Sequence, residues 1–182
     1  MIYFFTPYSL ELKLLDAISS YMALLKGDDW AVILDGDTMF LTPSFGTLIE
    51  NHILAAPDTG LFTSYASRCH YRIQVPPKVD MENESIRYHK MIGEFFADTR
   101  KGKTTLINRK IAGHLMAIRK STWDLISPMV AVSAADKKIL GVDTQISKAV
   151  LAIGLKILLM EDIYLLHYCR LVEGFNSTKH LI

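Results

Sequence analysis

The sequence has little cysteine, little net charge and no long unbroken apolar run, and each shortage excludes something. Its two cysteines, Cys69 and Cys169, form no CxxC pair and stand far apart. That excludes a zinc cluster or a disulfide framework and makes a reducing cytosol the simplest setting. A net charge of +1 gives no global attraction to nucleic acid or to a membrane surface. No Lys/Arg-rich patch with interleaved aromatics appears, so nucleic acid is not expected as a partner. The most apolar window, "AVLAIGLKILLM" (149–160), is interrupted by Lys156 and falls short of the ~20 residues that a spanning helix needs. The opening "MIYFFTPYS" lacks the basic stretch and cleavage site of a signal peptide. The "NST" at Asn176 matters only in a secreted chain.

What is there reads as globular. Half of the 182 residues are apolar and 21% are charged, which suits one domain over 1–182 with a sizeable core. "IYFFT" (2–6), broken by Pro7, is a short buried strand. "SLELKLLDAISSYMALLKG" is a helix with Leu14, Ile18, Tyr21 and Leu25 on one stripe, Ser9 as N-cap and Gly27 as stop. "WAVILD" is a strand, and a helix runs from Pro43–Ser44 to about Ala56. "GLFTSYASR" is a third strand, followed after a polar stretch by a helix over 84–99 with Ile86, Ile92 and Phe96 inward. "IAGHLMAIRKSTWDLI" is a strand entering a short helix in which Trp123 packs inward. "GVDTQISKAVLAIG" is a helix with Ile146, Val150 and Ile153 on one face, and "KILLMEDIYLLHY" is a last pair of strand-like pieces. Strands alternating with helices predict an α/β layer on a mainly parallel sheet. The polar stretch 71–109 is expected as an excursion on one side of it.

One segment carries chemistry. In "DDWAVILDGDTMFLTP" an apolar run ends in Asp35 and Asp37 with Gly36 between them. In α/β sheets ligands bind at the carboxyl ends of strands. Residues i and i+2 of an extended chain lie ~6–7 Å apart, too wide to clamp one ion, but Gly36 can tighten the spacing into a turn. Two adjacent carboxylates repel and are comfortable beside a cation; a few oxygen ligands suit Mg²⁺ or Mn²⁺. Asp-Gly is also a common turn dipeptide, so a plain solvated turn stands beside the metal reading.

The strand with "LDGDTMFLTP", the opening "FFTPYS", "GHLMAIRKSTW" and "GVDT…GLKILLMEDIYLLHYCR" together resemble a small bacterial glycosyltransferase of the GT-A fold, related to glycosyltransferase family 2. The resemblance spans 2–71 and 110–170 and rests on the order of the parts. It implies a Rossmann-like sheet flanked by helices, a nucleotide-diphospho-sugar donor (UDP- or GDP-linked), a saccharide or other hydroxyl acceptor, Mn²⁺ or Mg²⁺, a cytoplasmic setting and a role in polysaccharide biosynthesis. By the same resemblance Asp35 and Asp37 match the metal-and-donor D-x-D. Thr6, Pro7 and Tyr8 match the site of the nucleotide base and ribose. Gly113 and His114 match the acceptor-side loop, and the 71–109 excursion falls on that side. Asp143 matches the base of inverting members, and His167 the histidine that completes the metal shell.

Other readings stay open beside these. Asp143 can act as a helix N-cap, His167 as a packed and hydrogen-bonded core histidine, and His114 as a structural residue. Lys110, Arg119 and Lys120 form a solvated face or contact phosphate. The chain is short for the family. Thr6 and Asp35 leave room for only one helix between them, so the strand carrying the base-reading aspartate is missing, and Val142-Asp143 keeps one carboxylate of the usual acidic pair. No Q-x-x-R-W follows, against a processive synthase. A haloacid-dehalogenase-type phosphatase needs D-x-D-x-T near the N-terminus, whereas Thr38 follows Asp37 directly. A sugar-nucleotide pyrophosphorylase needs a Gly-rich N-terminal loop, which "FFTPYS" is not. The alternative from another class is a non-catalytic sugar-nucleotide-binding or assembly subunit.

Overall fold

The structure, a computed structural model, describes residues 1–8, 13–69, 71–134 and 141–168. In chain order the elements are β1 (Ile2–Phe5), α1 (Leu14–Met22), β2 (Trp30–Leu34), β3 (Thr38–Phe40), α2 (Phe45–Ala55), β4 (Leu61–Ala66), α3 (Ile86–Thr99), β5 (Thr104–Ile107), β6 (Leu115–Arg119), α4 (Lys120–Ala134), α5 (Val142–Ala152) and β7 (Ile157–His167), with a 3₁₀ turn at Arg72–Gln74 before α3. The expected Ser9 cap and Cys169 lie outside the described residues. Among the described residues no helix is long and apolar enough to cross a membrane.

Two compact units emerge from the internal contacts. The first comprises Met1–Gly36, Asp58–Thr63 and Leu106–Leu158; the second comprises Asp37–Pro57, Ser64–Thr105 and the chain from Leu159.

In the first unit β1 and β2 pair in parallel from Ile2↔Trp30 to Phe5↔Ile33. A parallel pair needs a crossover, and α1 supplies it, burying Ile18 and Met22 and stacking Tyr21 on Phe5 at 4.8 Å. The helix stops at Met22, before the expected Gly27. On its other side β2 pairs with β6 antiparallel, from Trp30↔Arg119 to Leu34↔Leu115, and β6 pairs antiparallel with β4 at Phe62↔Ala117. The sheet is therefore mixed, and the expectation of a mainly parallel one is corrected. Strands such as β2 and β6 are buried along almost their whole length, and such runs report burial but not direction. Direction comes from the connections, and β6 arrives after the excursion and turns straight into α4. Helix α4 packs on α5 and α1. Trp123, Ile126 and Val130 are buried from α4, and Ile146 and Val150 from α5, whereas Ile153 is 36% exposed.

In the second unit the expected pair of strands is one continuous strand, β7. β3 pairs antiparallel with its end, Thr38↔His167 to Phe40↔Leu165; β5 joins β7 as well, through Glu161 N–H to the Lys103 carbonyl at 3.0 Å. The far end of β4 is held by Ser67 N–H to the Leu165 carbonyl at 2.9 Å. The core centres on Leu41, Phe96, Tyr164 and Leu166. Helix α2 is tied to β7 by His52 Nε2 and Asp162 Oδ1, buried and 2.6 Å apart, while Asp162 Oδ2 accepts the Gly102 N–H at 2.8 Å.

Helix α3 starts on Ser85, whose hydroxyl accepts the Tyr88 N–H. Its buried stripe is His89, Gly93 and Phe96; of the expected Ile86, Ile92 and Phe96, Phe96 is buried, Ile92 packs half-buried against the core, and Ile86 is 48% exposed. Two features set that stripe. A Cβ on Gly93 would lie 3.0 Å from Leu41 Cβ, so glycine permits the close approach. His89 finds buried partners in the Tyr164 hydroxyl (2.7 Å) and the Asn83 carbonyl (2.6 Å), a pairing invisible to apolar periodicity. The excursion also contributes buried groups. Arg68 is 2% exposed and donates to the Met81 carbonyl and the Glu82 carboxylate, fixing the polar loop over it.

Candidate functional site

Strand β2 loses burial at Leu34, and Asp35 stands exposed just beyond it, followed by a turn through Gly36 and Asp37 into β3. The turn that the dipeptide suggested is therefore present. Gly36 does not have a positive φ, and a Cβ on it would meet only Thr6 Cγ2 at an ordinary 3.6 Å. Neither backbone strain nor lack of room demands glycine there.

Three further segments meet Asp35 within the first unit. The Asp35 N–H points to the His114 carbonyl at 3.4 Å, extending the β2–β6 ladder by one step. Next to His114, a Cβ on Gly113 would lie 3.0 Å from Asp143 Cβ, so glycine lets the first turn of α5 close on this loop. That helix begins at Gly141, which holds φ +110 in open space, a conformation glycine adopts without penalty. Asp143 is therefore the second helical residue and not the cap; Gly141 takes the cap position, which corrects the capping alternative. Asp143 Oδ1 accepts the Thr144 N–H at 2.7 Å, and the Asp143 carbonyl accepts the Ser147 hydroxyl at 2.7 Å. Ser147 Oγ in turn accepts the Ile111 N–H at 3.4 Å, binding α5 to the loop that carries Gly113.

The result is a cavity of about 270 Å³. Pro7, Asp35, Gly113 and Asp143 line it together with Gly36 and Gly141, over an apolar floor that includes Ile18, Ile33 and Met116. Two carboxylates at the edge of an apolar hollow is the kind of arrangement that orients a small polar ligand. Neighbouring expected residues are placed differently. Thr6 is exposed beside Gly36, Tyr8 is 74% exposed, and His114 is fully buried with its carbonyl directed at the Asp35 N–H. Arg119 pairs with Asp28 at 3.4 Å and Lys120 with Asp124 at 2.6 Å.

The second unit holds the other predicted ligands. The β3–β7 pairing sets Thr38 opposite His167, and the Tyr168 N–H donates to the Asp37 carbonyl at 2.9 Å. His167 is buried, and its Nδ1 lies 2.7 Å from the Arg68 carbonyl. A carbonyl can only accept, so Nδ1 carries the proton. Nε2 then faces Asp37 Oδ1 at 3.2 Å. The Ser67 hydroxyl accepts the His167 N–H at 3.0 Å and steadies the strand end. A histidine fixed through one nitrogen by a carbonyl, with the other aimed at a carboxylate, is how proteins orient imidazole for a metal. In the chain Gly36 alone separates Asp37 from Asp35, so a third ligand stands two residues away. Carboxylates and an imidazole are ligand types that a divalent cation takes.

Sequence reading missed Gly141, Ser67 and the Arg68 carbonyl. A glycine directly before an apolar helix was the available signal for the first; a backbone carbonyl that orients a side chain leaves none. Comparison with protein-family models, with characterised proteins and with solved structures finds no match to this chain.

Proposed function

We propose that the protein is a glycosyltransferase of the GT-A type related to glycosyltransferase family 2, moving a sugar from a UDP- or GDP-linked donor to a hydroxyl of a saccharide acceptor. The observation that carries this reading is the shared cavity of Pro7, Asp35, Gly113 and Asp143, drawn from four separate stretches of chain. These are residues that the family resemblance assigns to the nucleotide, the metal, the acceptor and the base.

The chemistry divides among them as follows. Asp37 and His167, with Asp35 two residues before Asp37 in the chain, would hold Mn²⁺ or Mg²⁺. When bound, the ion neutralises the negative charge that grows on the departing nucleoside diphosphate. Asp143 takes the proton of the acceptor hydroxyl as its oxygen bonds to the anomeric carbon and the bond to the diphosphate breaks, which inverts that carbon. Its place in the first turn of α5 suits negative charge. Pro7 gives the nucleotide a rigid apolar surface, and the bare backbone at Gly36 and Gly113 lets sugar and acceptor approach closely.

The test is a thermal-shift titration with UDP and GDP in Mn²⁺ or in EDTA, followed by an assay for donor hydrolysis. Saturation at 100 times the dissociation constant adds ~2.7 kcal/mol, a shift that is easily read. A nucleotide shift that requires Mn²⁺, with turnover, is the expected result. Equal shifts in Mn²⁺ and EDTA overturn the metal assignment, and metal-dependent binding without turnover makes the chain a binding subunit.

A further inference from the structure

The second unit contains a larger hollow that the reading above does not use. It has a volume of about 410 Å³ and lies between Tyr65 of β4, the Pro77–Lys78 loop and the Phe95–Phe96–Arg100 side of α3. We propose that this hollow is a binding site for a small anion with a flat apolar face, such as a ring carrying a carboxylate.

The apolar wall is continuous with the core. Phe96 is buried and belongs to the core, with its ring 5.7 Å from Tyr65 and 5.9 Å from Tyr164. Phe95 is different: it is 57% exposed, yet it lines a concavity. An aromatic ring left wet at the mouth of a hollow offers a face on which a flat ligand can stack.

The rim is cationic. Lys78 and Arg100 both line the hollow, and among the described residues no acidic one does. Glu161 is the counter-charge of Arg100: it accepts Arg100 at 3.2 Å through one oxygen and the Thr105 hydroxyl at 2.7 Å through the other. Its oxygens are thus already engaged, while a guanidinium has five N–H donors and spends one here. The Tyr65 hydroxyl is held protonated by burial and then by Glu161, so it stays a neutral donor at ordinary pH.

Lys78 is also the one non-glycine described residue with a positive φ, +67°. Such a conformation in lysine is uncommon and marks a position worth explaining by function. It places a charged residue, where glycine would be easier, on the edge of an aromatic hollow.

The experiment uses the full chain and calorimetric titration with 4-nitrophenyl β-glucuronide, beside the neutral 4-nitrophenyl β-glucoside and free glucuronate. The glucuronide should bind at least tenfold more tightly than either control. Phe95→Ala and Arg100→Gln should each weaken it about tenfold or more, with Arg100→Lys recovering part of the loss. Lys78→Gly separates folding from binding: it should raise the melting temperature by relieving the backbone while lowering affinity. Asp37→Asn should leave glucuronide binding unchanged, which keeps this test independent of the metal reading. Absent saturable binding, equal affinity for the glucoside, or binding that survives both Phe95→Ala and Arg100→Gln overturns the proposal. So does binding that Asp37→Asn abolishes.

Discussion

His167 Nε2 lies 3.2 Å from Asp37 Oδ1 while His167 Nδ1 lies 2.7 Å from the carbonyl oxygen of Arg68. The second contact fixes the proton on Nδ1, so the Nε2–Asp37 approach needs a shared proton or a cation between two acceptors. These alternatives separate experimentally. If a cation is the answer, Mn²⁺ alone should bind the protein, as read by electron paramagnetic resonance of free Mn²⁺. His167→Gln should then weaken it ~10–100-fold, the scale on which disturbed metal shells lose affinity. If the pair is only an imidazolium–carboxylate bridge, Mn²⁺ will not bind with site stoichiometry and His167→Gln will report on stability alone.

Two glycines test the packing in opposite directions. A Cβ on Gly60 would lie 2.6 Å from Leu155 Cβ and 2.7 Å from Val150 Cγ1, closer than packed carbons come. Gly60→Ala should therefore cost ~1–3 kcal/mol or more, the usual penalty of overpacking, and lower the denaturant midpoint. Gly36→Ala meets only an ordinary contact with Thr6 and should stay within about 0.5 kcal/mol of the parent. A destabilised Gly36→Ala would mean that the turn after β2 is tighter than this geometry.

Element positions were legible where burial and periodicity coincide. The ends of β2, α2 and α5 fell within a residue or two of expectation because apolar runs there stop at turn-forming residues. Strand direction was not legible, since β2 and β6 are apolar throughout and only a long-range pairing makes them antiparallel. The His89 and Gly93 part of the buried stripe of α3 was hidden for a related reason. It depends on Gly93 fitting against Leu41 and on His89 finding Tyr164, and neither partner lies nearby in sequence. At the site, Asp35, Gly113 and Asp143 could be named from motif order alone. That Gly113 is needed to admit Asp143 is a fact of contact, not of pattern.

Asp29 gives a pH dependence with a definite sign. Its carboxylate accepts the Lys26 N–H at 2.9 Å and the N-terminal amine at 2.9 Å. The Lys26 amide first, and the amine second, hold its pKa below the usual carboxylate value. A folded pKa below the unfolded one means stability that is present above the unfolded value and lost as pH falls through the folded one. Asp29→Asn should therefore melt below the parent at neutral pH, and the gap should close as pH drops below about 4, where an unfolded aspartate protonates. Melting curves across that range check it, and a gap that widens in acid would reverse the assignment.

Asp143 decides whether the cavity performs chemistry or only binds. Asp143→Asn keeps the size of the side chain and its carbonyl oxygen, so the Thr144 N–H at 2.7 Å retains an acceptor. Gly141, not Asp143, opens α5, so the helix start is untouched and folding stability should change little. Donor affinity should also hold, because Asp37 and His167 are unaltered. An amide cannot take the acceptor's proton, and transfer should fall by ~10²–10⁴, the contribution of a positioned acid–base group. Gly113→Ala supplies the matching displacement: its new Cβ would press on Asp143 at 3.0 Å, moving the carboxylate without removing it. That variant should lose a smaller part of the rate and keep donor binding. Sugar transfer, or donor hydrolysis in the absence of a known acceptor, is measured beside donor affinity for both. If Asp143→Asn turns over like the parent, Asp143 serves only the first turn of α5, and the inverting mechanism loses the residue on which it rests.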